Sequence, residues 1–313
     1  MSASSALIPS YPDFTPLDIG LKNILHPRLS LTPDGVSEFT FSNLYLFRNK
    51  YKYRISRDAV DKGSSQDSGF IISGEQAAGK ETFFMTPCGT PQQETLETLF
   101  QTHDYWKNIS KSVLSPVKER LEKQGVIISE DRDNFDYLYF RKDLAELTGK
   151  KYHKKKNHVN NFLYAYPDYE QKPMNSETAL AAVEILEQWR QAALTKNEGE
   201  AGDYKAAKEA LVSFDSLTLR GSVFFVSGKP VAYCLGESIA RGKMFAIHFE
   251  KAIEGYKGIY QFINQAFALS LPRFFTLLNR EQDLGNEGLR QAKMTYRPCG
   301  FVQKYKGVKQ TKN

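Results

Sequence analysis

Three cysteines in 313 residues, Cys88, Cys234 and Cys299, leave little room for sulfur chemistry. They are odd in number, far apart and include no CxxC pair, which excludes a disulfide framework and a thiolate metal site and fits a reducing cytoplasm. Long hydrophobic runs are missing too. FALSLPRFFTLL, the most apolar late stretch, is broken by Pro272 and Arg273 and falls short of the roughly 18 to 20 apolar residues that a membrane span needs. Any contact with lipid is therefore expected to be peripheral. The N-terminal MSASSALIPSYPDF has neither the basic start nor the sustained apolar core of an export signal. GxxxxGK[ST], GxSxG and a post-strand GxGxxG are absent, so nucleotide hydrolysis, nucleophile-elbow hydrolysis and dehydrogenase chemistry lack their usual marks. His153 and His158 would lie about 140° apart around a helix, which makes no two-histidine metal face. No metal site is expected.

What is present is a globular composition, 41% hydrophobic, 25% charged and 13% aromatic, over a length that suits two domains. The net charge of +6 is modest over this length and names no nucleic-acid function by itself. We place the division at 1–145 and 146–313, each part mixing an antiparallel meander with helices.

In the first part, Phe41, Leu44, Tyr45 and Phe47 can line a helix before a strand near Tyr51 to Ile55. DKGSSQDSG reads as a loop, and FIIS and ETFFMT as a hairpin. QQETLETLFQTHDYWKNI reads as one helix, and SPVKERLEKQ as a second that begins at Ser115 and Pro116. VIIS and FDYLYF return to strand. In the second part, SETALAAVEILEQWRQAAL is the clearest helix, with Ser176 as its N-cap. After a flexible NEGEAG break and the helix DYKAAKEALVSF, SVFFVSGKPVAYCLGESIARGKMFAIHFE supplies three antiparallel strands. The helix YKGIYQFINQAFALS, the strand FFTLLN, the helix NEGLRQAKMTY and one final strand, FVQKY, complete it.

Two stretches of the second part carry polar chemistry. Gly255, Tyr256, Lys257 and Gly258 stand where a strand passes into a helix. Unpaired N–H groups at such a start, reinforced by the helix dipole, suit a phosphate or carboxylate; the same glycines also serve a simple tight turn. The segment 277–296 gathers Asn279, Arg280, Glu281 and Asp283 at a strand end, then Glu287, Arg290, Lys293 and Tyr296 on a helix. Helical projection puts Leu289, Ala292 and Tyr296 on the inward arc with Lys293 at its edge. His248 and Glu250, two apart on a strand, could relay a proton from one side of the sheet or be structural. Finally, Lys151, Lys154, Lys155 and His158 can form a basic ridge on a helix anchored by Val159, Phe162 and Leu163. Such a ridge suits a polyanion, or is a solvated face.

LAELTGKKYHKKKNHVNNF, the meander, EGYKGIYQFINQAFA and NREQDLGNEGLRQAKMTYRP occur in that order. Together they resemble the C-terminal domain of bacterial phosphatidylglycerol lysyltransferases and its soluble stand-alone relatives, over most of residues 30 to 306. The resemblance implies an α+β chain of two tandem GNAT-like acyltransferase folds, each a mostly antiparallel mixed sheet flanked by helices, with the likely active site in the C-terminal one. It implies transfer of an aminoacyl group from aminoacyl-tRNA, or of an acyl group, to an amine or hydroxyl. By likeness, Glu281, Asp283, Arg290 and Lys293 would be catalytic, with Tyr296 similar to the GNAT tyrosine that protonates the leaving group, and Asn279, Arg280 and Glu287 would bind substrate; the strand pair His248 and Glu250 joins the substrate-binding set on its position alone. Of the GNAT coenzyme A motif R/Q-x-x-G-x-G/A only Gly258 agrees, in the frame Gly255, Gly258, Tyr260, so a coenzyme A thioester is an alternative donor. A non-catalytic module holding RNA or an anion on a degenerate acyltransferase fold is a further alternative. The membrane-spanning part of the lysyltransferases has no counterpart, so their lipid acceptor does not carry over. The turn near residue 256 is expected to present bare amide hydrogens toward a pocket also lined by 279–296.

Overall fold

The computed structural model describes residues 8–58, 69–76, 79, 81–195 and 202–310. From the N-terminus come β1 (Thr15–Pro16), α1 (Lys22–Leu29), α2 (Phe41–Tyr51), β2 (Arg54–Arg57), β3 (Phe70–Glu75), β4 (Thr82–Met85), α3 (Gln93–Thr102), β5 (Tyr105–Ser110), the short α4 (Lys111–Leu114) and α5 (Lys118–Lys123), and β6 (Val126–Glu130). Next are β7 (Asp136–Phe140), α6 (Arg141–Glu146), α7 (His153–Ala165), β8 (Glu170–Pro173), α8 (Ser176–Thr195), α9 (Tyr204–Val212), α10 (Phe214–Leu217), β9 (Arg220–Val226), β10 (Lys229–Ile239) and β11 (Met244–Ala252). The chain closes with α11 (Ile259–Ser270), β12 (Leu277–Asn279), α12 (Glu287–Met294), β13 (Gly300–Val302) and β14 (Lys304–Lys309). Most of the loop DKGSSQDSG, most of the NEGEAG break and the start of the N-terminal arm lie outside the described residues.

Contacts divide the chain into two units. Unit 1 is 1–136 with 282–285 and 302–313; unit 2 is 137–281 with 286–301. Each contains a seven-stranded mixed sheet with flanking helices, the α+β class expected. In unit 1 the order is β1-β2-β3-β4-β5-β14-β6, and in unit 2 it is β13-β7-β12-β11-β10-β9-β8. Each contains a parallel pair, β4 with β5 in unit 1 and β11 with β12 in unit 2, among antiparallel ones. The two orders match strand for strand. The strand next to the parallel pair comes from afar in both, β14 in unit 1 and β7 in unit 2. Among the described residues no helix is long and apolar enough to cross a membrane.

Several local expectations change. The stretch read as a helix to Ile109 leaves helix at His103, and Tyr105–Ser110 is a strand. The Asp104 carboxylate accepts from Thr82 N at 2.6 Å and Thr82 Oγ1 at 3.0 Å, fixing the register beside β4, and aromatic residues favour the pleat. Ser115 does not open a helix; its hydroxyl donates to Lys111 O at 2.7 Å and closes α4, with Pro116 between α4 and α5. Asn175, not Ser176, caps α8, its side-chain oxygen accepting from the Glu177 and Thr178 amides at 3.0 and 2.9 Å. FVQKY is two strands broken at Gln303, because β13 borders β7 whereas β14 inserts between β5 and β6.

Lys304 is wholly buried in unit 1. Its ammonium pairs with Glu38 and, at 2.7 Å, with Asp136, and Ser37 N and Oγ each donate to the Asp136 carboxylate at 2.9 Å. Burial raises the Glu38 carboxyl above its ordinary range despite the lysine. A charge this deep is tolerable only because its hydrogen bonds are made.

Candidate active site of unit 2

The site grows from an irregularity in the sheet. β11 and β12 pair over three positions, Met244–Ala246 with Leu277–Asn279. On the other side of β11, Leu235 faces Phe249 but Gly236 faces Ile247, so His248 is an extra residue, a β-bulge. With β12 ended and β11 continuing, the two strands part, and polar side chains from both occupy the region beyond Asn279.

Asn279 is fully buried, and its side-chain oxygen accepts from Glu281 N at 2.8 Å. This holds Glu281 in a left-handed conformation, φ 56°, unusual for a residue with a side chain. Lys293 completes the turn by donating its ammonium to Arg280 O at 2.7 Å and Glu281 O at 3.1 Å. Tyr139 donates its hydroxyl to Lys293 O at 2.8 Å and so ties α12 to β7.

Here the inward arc differs from expectation. Leu289 is 41% exposed and Ala292 is exposed, whereas Lys293 and Tyr296 are buried. The lysine turns in because two backbone carbonyls offer it more than solvent-facing apolar neighbours could. Glu287 is exposed and Arg290 half-buried.

Around this turn two charged groups form. His248 sits between two carboxylates, Nε2 at 3.0 Å from Glu237 and Nδ1 at 2.7 Å from Glu281. Burial lowers the imidazole pKa, but bonds to both carboxylates outweigh it and push it up to about 10. The imidazole is therefore a cation at neutral pH, and it fixes the partly exposed Glu281 carboxylate. In the second group Arg280 pairs with Glu250, with its guanidinium carbon 5.1 Å from the Tyr296 ring centre and 5.9 Å from that of Tyr139. Burial opposes the arginine's charge, and Glu250 restores it and more. Burial likewise raises the Tyr296 hydroxyl, which Arg280 partly counters, to about 12. Lys155 of α7 brings its ammonium 4.2 Å from the centre of the Tyr296 ring; burial and then Arg280 lower its pKa. Arg280 Nε and Asn264 Oδ1 are buried without a hydrogen-bond partner among the described residues, although Asn264 Nδ2 reaches Glu250 at 3.5 Å. Orphaned donors and acceptors at such depth cost about 1 to 3 kcal/mol each and mark a place built to receive a polar group.

Residues 30–306, most of the chain, match the family described as phosphatidylglycerol lysyltransferase, C-terminal. The chain belongs to this family. A conserved protein of unknown function from Bacteroides thetaiotaomicron is similar over 97% of this chain and 100% of its own, with 28% identity and a TM-score of 0.84. The C-terminal domain of a protein from Agrobacterium fabrum assigned to the lysylphosphatidylglycerol synthetases shares the fold over 94% and 92% of the two chains, with 14% identity and a TM-score of 0.59. So does L-PGS from Bacillus licheniformis, over 78% and 82%, at 13% identity and 0.52. An uncharacterised protein of Mycoplasmoides gallisepticum is 26% identical over 182 residues, so that the chain spans 57% of that relative's length.

Among the residues singled out in the sequence, the structure groups Arg280, Glu250, Tyr296 and Lys155, and beside them Glu281, His248, Asn279 and Lys293. Asp283 belongs to unit 1, where it is wholly buried, pairs with Arg132 at 3.2 Å and accepts from Gly285 N at 2.9 Å. Lys151 pairs with Asp143 at 2.9 Å, while Lys154 and His158 are exposed. Glu237 and Tyr139 went unnoticed in the sequence; an acid within an apolar strand was the available signal for the first, and nothing singled out the second.

The turn before α11 borders a groove that the segment 279–296 does not line. Trp189, Ala252, Tyr256, Lys257 and Tyr260 help line this groove of ≈ 400 Å³. Gly255 and Gly258 have φ of 95° and 86°. A Cβ on Gly258 would collide with the His158 carbonyl oxygen of α7. The close approach this glycine permits is thus made by a backbone oxygen, whose partial negative charge would oppose a pyrophosphate there. These residues do not fit coenzyme A at Gly258, and no step is derived through it. Among the described residues no group of His, Cys, Asp or Glu could hold a metal ion.

Proposed function

We propose that this chain transfers an aminoacyl group from the 3′ end of an aminoacyl-tRNA to a hydroxyl or amine acceptor, at the Arg280–Glu250–Tyr296 group of unit 2. The observation that carries the reading is Arg280, whose buried Nε–H has no hydrogen-bond partner among the described residues and whose guanidinium carbon lies 5.1 Å from the ring centre of Tyr296, a tyrosine of raised pKa. Membership in the lysyltransferase family supports the donor class.

In this reading the acceptor's oxygen or nitrogen attacks the ester carbonyl carbon and forms the new bond while the carbonyl becomes an oxyanion. Arg280 stabilises that oxyanion from a site that excludes water, where a fixed donor is worth most. As the oxyanion collapses, the bond to the ribose oxygen breaks, and Tyr296 supplies the proton this oxygen needs. A hydroxyl with pKa about 12 remains protonated at neutral pH and approaches the basicity of an alkoxide leaving group. The proton lost by the acceptor passes to solvent or back to Tyr296, so the balance closes. Glu281, fixed by His248, offers a negative charge to the ammonium of the aminoacyl group. Lys155, Lys154 and Lys151 on and before α7 attract the phosphates of the acceptor arm. The cytoplasm, where charged tRNA is found, is the corresponding proposed location.

The test is incubation of the purified protein with tRNA charged with radiolabelled amino acids, across a panel of lipid, peptide and small-amine acceptors. Transfer of label that Arg280→Ala abolishes supports the reading. Salt-sensitive tRNA binding without transfer from any charged tRNA would sink it and leave a binding module.

A further inference from the structure

Unit 1 holds a side-chain pair that the proposed transfer does not use. α3 ends at Thr102, and a helix end leaves carbonyl oxygens short of donors. His103, the next residue, turns back on that end: its backbone N donates to Leu99 O at 3.0 Å, and its ring Nδ1 lies 3.3 Å from the same oxygen and 3.0 Å from Thr102 Oγ1. A carbonyl oxygen can only accept. The Thr102 hydroxyl, for its part, donates to Thr98 O at 2.9 Å. Nδ1 therefore carries the hydrogen, and in a neutral imidazole that leaves Nε2 with a lone pair. Burial holds this imidazole below its ordinary pKa, so it is neutral at neutral pH.

The bare nitrogen has a partner. Nε2 is 2.8 Å from Ser73 Oγ on β3, thirty residues earlier in the chain, and with no hydrogen on Nε2 the serine hydroxyl is the donor. This is the contact through which a histidine takes a serine's proton. Asp104, although adjacent to the histidine, is not a third member, because Thr82 holds its carboxylate; Leu99 O and Thr102 Oγ1 orient the ring instead. Ser73 and His103 are both half-buried, so solvent reaches the pair. The rings of Phe84 and Phe14 have their centres 5.7 and 6.4 Å from that of the imidazole. Arg54 stands directly opposite Ser73 in the β2–β3 ladder, which puts both side chains on one face of the sheet. Its Nη2 donates to Phe14 O at 3.0 Å, a contact that uses one of the five N–H groups of a guanidinium. A strand and a helix end supply the two partners, so no contiguous GxSxG motif is formed.

We propose that Ser73 and His103 act as nucleophile and base in the hydrolysis of carboxylic esters of small apolar acids. Ser73 Oγ attacks the ester carbonyl carbon while its proton passes to His103 Nε2, and Arg54 meets the oxyanion. Collapse breaks the bond to the alcohol, which leaves with that proton. Water then attacks the acyl-serine by the same route, releasing the acid and restoring the hydroxyl. The two phenylalanine rings favour an apolar acyl group. The inference uses no residue of the transferase site and does not depend on that reading.

The test is labelling of the full chain by a fluorophosphonate, in which the Oγ–P bond forms as the P–F bond breaks, the proton going to His103 and fluoride leaving. One label per chain is expected, located on Ser73 by peptide mass and absent from Ser73→Ala. The folded wild type is expected to react at least about 100-fold faster than the same chain in urea, and His103→Gln, its fold checked by a melting curve, to be slower than the wild type by about the same factor. Turnover of p-nitrophenyl acetate should fall in both variants. The proposal is overturned if the folded wild type labels no faster than the unfolded chain, if the label sits on another residue, or if folded His103→Gln labels at the wild-type rate. The hydrogen bond would then do no more than tie the end of α3 to β3.

Discussion

Lys293 and Glu281 are bound through a side-chain ammonium and a backbone oxygen, 3.1 Å apart, with the Arg280 oxygen sharing the same donor at 2.7 Å. One helix side chain thereby holds the turn that aims both Arg280 and Glu281. Lys293→Met keeps the length of the stem and removes the donor. The variant is expected to lose about 1.5 to 3 kcal/mol of stability in urea unfolding and to lose aminoacyl transfer along with it. Wild-type stability in the variant would show that the turn does not depend on the lysine.

Tyr296→Phe removes only the hydroxyl, keeping the ring that Lys155 and Arg280 flank. Melting is expected to change little. If Tyr296 supplies the leaving-group proton, transfer should fall by about 10² to 10⁴, with tRNA binding unchanged. Equal turnover in the two proteins removes Tyr296 from the proposed mechanism.

The His248 imidazole makes a pH prediction. Its folded pKa, about 10, lies above the ordinary 6.5, so protonated His248 favours the folded state. That contribution is whole below pH 6.5 and declines as pH rises toward 10. Unfolding free energy measured across this window should fall for the wild type and fall less for His248→Gln. Parallel curves would mean that the ionisation of His248 is not coupled to folding.

In unit 1, Lys304→Met would leave the buried Asp136 carboxylate without its cation. A loss of about 3 to 5 kcal/mol is expected, because breaking one half of a buried pair strands the other. The companion variant that also carries Asp136→Asn and Glu38→Gln should recover part of it. Chemical denaturation of the three proteins reads both effects.

Local pattern carried much of this architecture. Alternating apolar residues gave β9, β10 and β11, and the 3.6-residue period gave α8 and α11. What escaped was whatever depends on a distant partner. FDYLYF read correctly as a strand, and FVQKY as strand but as a single one that stopped short of Lys306–Lys309, because nothing in two-residue alternation says which sheet a strand joins. DYWKNI looked like the tail of a helix because its strand neighbours, β4 and β14, are remote in sequence. In the site, the strand-end cluster 279–283 was visible as a density of polar residues. The inward course of Lys293 was not, since a projection that ranks positions by apolarity cannot see two waiting carbonyls. His248 and Glu250 were singled out together by their spacing, yet the bulge at His248 gives them separate partners.

The placement of β14 between β5 and β6 has a consequence for how the molecule is born. During synthesis, every residue of the first sheet but its sixth strand leaves the ribosome early, and must then wait while nearly the whole second half is made. Throughout that interval β5 and β6 present unmatched ladder edges, the sort of surface that chaperones shield and that strays into aggregates. Maturation of the amino-terminal half is thus timed by the carboxyl-terminal one.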